Sequence, residues 1–205
     1  MADPTENASP EDHGGSVLAQ VGRTAVVFRQ LEEGRRRLVA RVAQMPPEGQ
    51  RWSIPGRGRG GDSWTPLQVL DHVARVEAFT VLGVRQGLGD GPAKGPSLRH
   101  RAGRLLVRAV FSLRLRVGTP DTRVDPAPAD SLTLGQVERD WYEAREALRQ
   151  ALSEVEDPRR ALVRHPVAGP LNVLETLEFL GRHQRHHMHQ VDRIRKHPSF
   201  PWAVR

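Results

Sequence analysis

Apolar residues recur at helical spacing through much of this chain, and that periodicity constrains its fold more than any other feature. Between residues 16 and 45 most of them lie four or seven positions from the next, as on one face of an α-helix. They are Val17, Val21, Val26, Val27, Leu31, Leu38 and Val42. No segment shows the convincing alternation of apolar and polar residues that is typical of strands. The pattern therefore predicts an all-α protein.

Three further segments begin with a helix-start signal. Each has a cap residue followed three positions later by Gln or Glu, which is the capping-box pattern. The pairs are Thr65 with Gln68, Thr133 with Gln136, and Asn172 with Glu175. The predicted helices run from Pro66 to about Gln86, from Thr133 to about Val155, and from Leu171 or Asn172 to about Lys196. Four amphipathic helices bury their apolar faces in a four-helix bundle.

A basic stretch, LRHRAGRLLVRAVFSLRLRVG (residues 98–118), lies between the second and third long helices. It predicts an extra helical segment. A basic amphipathic segment can bind a membrane surface, an anionic substrate or nucleic acid. We prefer a structural interpretation, in which this helix covers the bundle and its arginines face solvent.

The chain of 205 residues is long enough for one domain with a hydrophobic core. Residues 1–15 are polar and acidic and predict a disordered tail, residues 16–197 the bundle, and residues 198–205 a C-terminal tail. The start has no basic and apolar regions of a secretory signal, and no apolar run reaches about 18 residues. We therefore expect a cytoplasmic bacterial protein without a transmembrane segment.

The composition limits the partners and the metal ligands. The net charge is +7, but the basic residues are spread over every segment, and only Lys94 and Lys196 of the 31 are lysines. Such an arginine excess is what a GC-rich genome would give, so nucleic-acid binding is not expected. Because the chain has no cysteine, His, Asp or Glu must hold any metal, and any thiol must come from a cofactor.

Four of the nine histidines fall within seven residues of the last predicted helix. His183 and His187 are one turn apart and continue its apolar face, whereas His186 and His189 point about 100° or more away. Two buried imidazoles at this spacing could bind one metal ion. A surface histidine run and hydrogen-bonded core histidines remain alternatives.

His72 interrupts the apolar face of the second predicted helix in the same way, between Val69 and Val76. Three inward imidazoles would leave one or more coordination positions open, as in catalytic metal sites. Their softness suits Zn²⁺, Ni²⁺ or Fe²⁺. Gln190, one turn beyond His187, is the predicted catalytic residue and would orient a ligand or a bound water; the alternative is a polar residue that only ends the apolar face.

The other polar and aromatic residues near these positions are predicted to have structural or solvent-facing roles. Glu77 lies about 140° around the helix from His72, and Asp71 is its neighbour, so both are expected to face water. His165 is expected to shape the loop before the last helix. Trp141 and Tyr142 are expected to pack within the bundle.

Two stretches carry a resemblance to a known family. WTPLQVLDHV (residues 64–73) resembles the start of the second helix of the DinB/YfiT-like metalloenzymes, in which a Trp and a capped helix precede the first metal histidine. Residues 164–194 resemble the last helix of that family and the loop before it, with the pattern His-x-x-x-His-x-x-Gln at His183, His187 and Gln190. The resemblance covers most of residues 20 to 197.

The resemblance implies a four-helix bundle with a divalent metal on His72, His183 and His187, and a homodimer. Some relatives are transferases or isomerases that use low-molecular-weight thiols such as mycothiol or bacillithiol. The expected function is a metal-dependent S-transferase or hydrolase acting on a small molecule. The alternatives are a metal-binding bundle without catalysis, and a basic protein that binds nucleic acid or an anionic surface.

Overall fold

The computed structural model describes residues 10–56, 63–90, 97–113 and 122–202. In chain order its elements are α1 (Pro10–Ala43), α2 (Pro47–Gln50), α3 (Pro66–Gly89), α4 (Leu98–Ser112), α5 (Leu134–Ser153), β1 (Val163–His165), β2 (Gly169–Leu171) and α6 (Val173–Arg195). Two 3₁₀ helices, Thr122–Val124 and Ala129–Ser131, precede α5. No helix within these ranges is long and apolar enough to cross a membrane.

Four long helices form the bundle. The most extensive pairings join α1 to α6 and α3 to α5, and α3 also packs on α6. The shorter helix α4 lies against β2 and α6. The prediction of an all-α four-helix bundle with an extra helical segment between the second and third long helices is confirmed.

Capping residues begin α3 and α6 where the sequence predicts. The Thr65 side chain accepts the backbone N–H of Gln68 at 3.2 Å, and the Gln68 side chain accepts the N–H of Thr65 at 3.1 Å. Asn172 and Glu175 make the same reciprocal pair. At the start of α5 the Thr133 hydroxyl accepts from the Gln136 backbone, but the Gln136 side chain donates to Asp140 instead.

Several boundaries differ from the sequence prediction. Helix α1 begins at Pro10 rather than Ser16, while residues 1–9 of the predicted tail lie outside the described residues. The predicted loop before α6 contains an antiparallel hairpin that pairs Val163 with Leu171, and its second strand begins at Gly169, whose φ is 74°. Strands of three residues are too short to show alternation. In the predicted C-terminal tail, Phe200 is buried against the core.

The core consists of two apolar clusters. The first core cluster includes Leu38, Val42, Leu67, Leu70, Val137, Trp141, Val191 and Ile194. The second core cluster includes Leu31, Val81, Val84, Leu148, Ala151, Leu177 and Leu180. Between them every long helix contributes buried polar residues, which we call the polar layer: Arg35, His72, Glu77, Arg145, His183, Gln184 and His187.

Candidate metal centre

Three histidine side chains meet in the polar layer. The Nε2 atom of His183 lies 3.2 Å from Nε2 of His72 and 3.0 Å from Nε2 of His187. The candidate ligand atoms of all three residues lie within 4.8 Å of one another. Imidazole nitrogens that converge in this way could hold a divalent metal ion.

Helical spacing brings the three rings together. His72 is on the inward face of α3, and His183 and His187 are one turn apart on the inward face of α6. All three are buried, whereas His186 is half-buried and His189 is exposed. The predicted division of the histidine cluster into two inward and two rim residues is confirmed.

The outer ring nitrogens fix the protonation state of two of these histidines. His72 Nδ1 lies 2.7 Å from the Val124 carbonyl oxygen, and His187 Nδ1 lies 2.8 Å from Gln190 Oε1. Both oxygens accept hydrogen bonds and cannot donate them, so each Nδ1 carries the proton. In a neutral ring the inner Nε2 then has a lone pair and no proton. His72 and His187 therefore both present lone pairs toward His183.

His183 cannot satisfy its own hydrogen-bonding groups in this arrangement. Its Nδ1 is buried and has no hydrogen-bond partner among the described residues. A proton on Nε2 would leave Nδ1 as an unpaired acceptor, whereas a proton on Nδ1 would leave three lone pairs converging. An unpaired buried group costs roughly 1–3 kcal/mol. A cation at the point of convergence would satisfy all three Nε2 atoms.

The surroundings keep these rings neutral. Burial lowers the pKa of His72, and burial together with neighbouring histidines lowers the pKa of His183 and of His187 well below the usual value. The ring of Trp64 packs 4.7 Å from that of His72 and excludes water from one side. Neutral imidazole is the form that binds metal ions, so the group is ready to do so at neutral pH.

A cavity of about 1230 Å³ adjoins the three histidines, which form part of its wall. Most of the remaining wall is apolar and includes Phe79, Leu106, Val110, Phe111, Val163 and Phe179. Arg123, Arg164 and Arg193 also line it. Its volume suits a small organic molecule, and such a molecule would have direct access to the candidate metal centre.

Comparison with known proteins decides the family. The model of the DinB superfamily matches residues 30–191, which is most of the chain. The chain belongs to the DinB superfamily. The chain is similar to the uncharacterized protein YuaE of Bacillus subtilis (strain 168), with 25% identity over 137 residues that cover 66% of this chain and 79% of YuaE. No solved structure gives a significant match.

In this member of the DinB superfamily, the structure places Gln190 beside the candidate metal centre. Gln190 is buried, and its Oε1 atom accepts the hydrogen bond from His187 Nδ1. It lines the same cavity. The contact with His187 orients that ring and fixes its tautomer.

The prediction that Glu77 faces water is wrong. Glu77 is only 1% exposed, and its carboxylate accepts hydrogen bonds from Trp141 Nε1 at 2.8 Å and from Nε and Nη2 of Arg145. Arg145 also pairs with Glu32. Glu77 does point away from His72, as predicted. That side of α3, however, packs against α5 and does not face solvent. A cation on α5 compensates the buried charge.

Asp71 is also buried, contrary to the prediction. Its Oδ2 atom accepts from Arg75 Nε at 2.8 Å and from the backbone N–H of Ala127 at 2.7 Å. The second contact holds the segment that contains Val124, whose carbonyl oxygen binds His72. Val124 was missed from the sequence because a backbone carbonyl leaves no residue-type signal.

His165 stabilises the hairpin before α6. Its Nδ1 atom accepts the backbone N–H groups of Val167 at 3.1 Å and Ala168 at 2.9 Å. This agrees with the prediction that His165 shapes the loop before the last helix. Of the two aromatic residues predicted to pack within the bundle, Trp141 is fully buried, whereas Tyr142 is exposed.

Proposed function

We propose that this protein is a divalent-metal-dependent enzyme that acts on a small molecule, either as a thiol-dependent S-transferase or as a hydrolase. His72, His183 and His187 would bind the ion through their Nε2 atoms. The supporting observation is the pair of outer hydrogen bonds, because they turn the Nε2 lone pairs of His72 and His187 inward toward His183. Three converging Nε2 atoms can share at most one proton, carried by His183, so a cation between them satisfies more of their lone pairs.

The donor set and the cavity suit catalysis. Imidazole ligands are compatible with Zn²⁺, Ni²⁺ or Fe²⁺, and three protein ligands leave a position for a further ligand. A bound ion of this kind acts as a Lewis acid and lowers the pKa of a coordinated thiol or water. The chain has no cysteine, so a thiol would come from a low-molecular-weight cofactor in the cavity.

Residues of the chain itself would position these groups. Gln190 is a positioning residue, because it acts on the site through the hydrogen bond to His187. The Val124 carbonyl has the same role for His72. Phe111 and Phe179, whose rings lie 6.1 Å and 5.9 Å from that of His183, would provide an apolar wall for the substrate.

Metal content of the purified protein tests the site. We expect inductively coupled plasma mass spectrometry to find about one divalent ion per chain in the wild type. The ion should be lost in His72→Ala, His183→Ala and His187→Ala. His186→Ala and His189→Ala are the matched controls, because they remove rim histidines of the same helix and should retain the ion. Absence of metal, or equal metal content in all five variants, would contradict the proposed site.

Activity assays separate the two reaction classes. The metal-loaded protein would be incubated with an electrophile and a thiol such as bacillithiol, and separately with a panel of esters and amides. Thioether formation that stops in His183→Ala supports S-transfer, and hydrolysis that stops in the same variant supports a hydrolase. If the metal-loaded protein shows neither activity, the catalytic part of the proposal fails while the metal site stands.

A further inference from the structure

Helix α4 leaves its leucines exposed, although Leu106 also lines the cavity. Within the described residues, the exposed fraction is 82% for Leu98, 67% for Leu105, 57% for Leu106 and 68% for Leu113, the residue that ends the helix. Exposed apolar patches of this kind mark interaction surfaces in folded proteins. In the described part, residues 98–113, Arg99, Arg101 and Arg108 are exposed as expected, but the leucines share the outer face with them. Residues 114–118 of the predicted segment lie outside the described residues.

The inner face of α4 is tied to the hairpin, which fixes the orientation of the helix. Arg104 donates to the backbone carbonyls of Ala168 and Pro170 and pairs with Glu175. Gly103 lies so close to Val167 that an added Cβ would meet its carbonyl oxygen at 2.1 Å. Because the inner face is occupied by these contacts, α4 cannot rotate its leucines into the bundle.

Arginines border the outward apolar strip on both sides. At 100° per residue, Leu98, Ala102, Leu105 and Ala109 fall within an arc of about 60°. Arg99 lies on one side of this strip, and Arg101 and Arg108 lie on the other, all of them exposed. The sequence of α4 contains no Asp or Glu. An apolar strip with cations on both sides is the pattern of helices that lie in the interface of an anionic bilayer.

We propose that α4 is a membrane-docking helix that lies flat on a bilayer surface containing anionic lipid. Leu98, Leu105 and Leu113 insert among the acyl chains, and the bordering arginines bind lipid phosphates. The helix is about 22 Å long, so the leucines at its two ends enter the same interface when the helix lies parallel to the membrane. The observations behind this proposal do not include the metal centre or the reaction proposed for it.

Two other partners fit this surface less well. Nucleic acid would pair with the arginines but would leave the leucines in water, because phosphate contacts dominate such interfaces. A second copy of the chain, packed through α4 across a two-fold axis, would bring Arg101 and Arg108 close to the same residues of its partner. No carboxylate of α4 could neutralise them.

Vesicle flotation tests the docking. We expect the full chain to float with vesicles of phosphatidylcholine and phosphatidylglycerol, and much less with phosphatidylcholine alone or at high salt. The double variant Leu98→Ser/Leu105→Ser should lose at least roughly tenfold in partitioning. Arg101→Gln/Arg108→Gln should lose roughly fivefold for each arginine. Because these side chains are exposed, both variants should unfold at the temperature of the wild type.

Exposed residues of α5 provide matched controls. Tyr142→Ser and Arg149→Gln remove an exposed aromatic residue and an exposed arginine outside α4, and should leave flotation unchanged. Membrane docking by α4 is excluded if the wild type does not float with anionic vesicles, or if both α4 double variants float as the wild type does. It is also overturned if the protein elutes as a dimer that Leu98→Ser/Leu105→Ser converts to monomer, or if it binds duplex DNA but not vesicles.

Discussion

Gln190 determines which nitrogen of His187 faces the candidate metal centre. Gln190→Leu removes the acceptor of His187 Nδ1 and frees the ring to change tautomer. We expect metal affinity, measured by competition with a chelator, to fall roughly 10- to 100-fold. Gln190→Glu keeps an oxygen acceptor and should retain most of the affinity. Equal affinities for wild type and Gln190→Leu would show that the hydrogen bond has no role in metal binding.

His165 makes the stability of the metal-free protein depend on acid. Burial lowers the pKa of His165 from 6.5 to about 4, so between these values the unfolded chain binds a proton that the folded chain does not. Above pH 6.5 His165 is neutral in both the folded and the unfolded chain, and its contribution to stability is complete. As the pH drops toward 4, protonation of the unfolded chain lowers the free energy of unfolding by at most about 3 kcal/mol.

The variant His165→Asn isolates that effect. An Asn oxygen can accept the same two backbone N–H groups but does not titrate. Urea unfolding in the presence of a chelator should show a smaller loss of stability between pH 6.5 and 4 for the variant than for the wild type. Parallel pH profiles for the two proteins would mean that His165 does not carry a shifted pKa.

For single residues, the sequence predicts the direction of a side chain wherever that direction follows from helical periodicity. His72, His183 and His187 interrupt apolar faces, so their inward direction follows from the turn of the helix. The burial of Glu77 could not be predicted in this way, because it depends on Arg145, which is 68 residues away and on a different helix. Periodicity gives the direction of a side chain but not the group that it meets.

The packing of α3 against the hairpin requires a glycine at one position. A Cβ on Gly87 would lie 2.3 Å from the Leu162 carbonyl oxygen, whereas a Cβ on Gly89 would meet nothing within 4 Å. We expect Gly87→Ala to lower the free energy of unfolding by about 1–3 kcal/mol. Gly89→Ala should be neutral or slightly stabilising. Equal unfolding midpoints for the two variants in urea would contradict this close packing.

The sequence predicts helix starts well and the remaining elements less well. Thr65 and Asn172 cap α3 and α6 through local hydrogen bonds, and local residue order is sufficient to recognise them. The hairpin depends instead on pairing between Val163 and Leu171 and on contact with α3. The orientation of α4 depends on its contacts with the hairpin, which turn its strip of leucines away from the bundle; periodicity alone would place such a strip inward.

Ion pairs and a hydrogen bond of Arg145 in the polar layer connect all four long helices of the bundle. Arg145 on α5 pairs with Glu77 on α3 and Glu32 on α1, and it lies 2.9 Å from the Gln184 amide oxygen of α6 when that amide is oriented by its hydrogen bonds. Arg145→Met leaves the carboxylate of Glu77 buried without a cation. We expect a loss of about 3–5 kcal/mol in the free energy of unfolding.

The double variant Glu77→Met/Arg145→Met tests whether charge is the reason. It removes both ions, so it should be less destabilised than the sum of the single variants, with a coupling energy of about 1–3 kcal/mol. Urea unfolding of the four proteins gives this energy directly. Additive losses would mean that Arg145 acts through packing with its neighbours rather than through the buried ion pair.

For the whole molecule, sequence alone predicts the bundle and the three histidines but not the cavity. Four amphipathic helices have few other ways to bury their apolar faces, which makes the bundle predictable. The cavity depends on how α4 and the hairpin lie over α3 and α6, and these contacts join residues far apart in the chain. No local pattern encodes its volume or its arginines.

X-ray absorption spectroscopy at the absorption edge of the bound metal tests the three-histidine centre most directly. For zinc, the purified wild-type protein should show three imidazole nitrogens at about 2.0–2.1 Å and at least one further light ligand. In His72→Ala the imidazole contribution should fall or the metal should be absent. A protein without metal, or a shell of oxygen ligands that is the same in His72→Ala, would contradict the account.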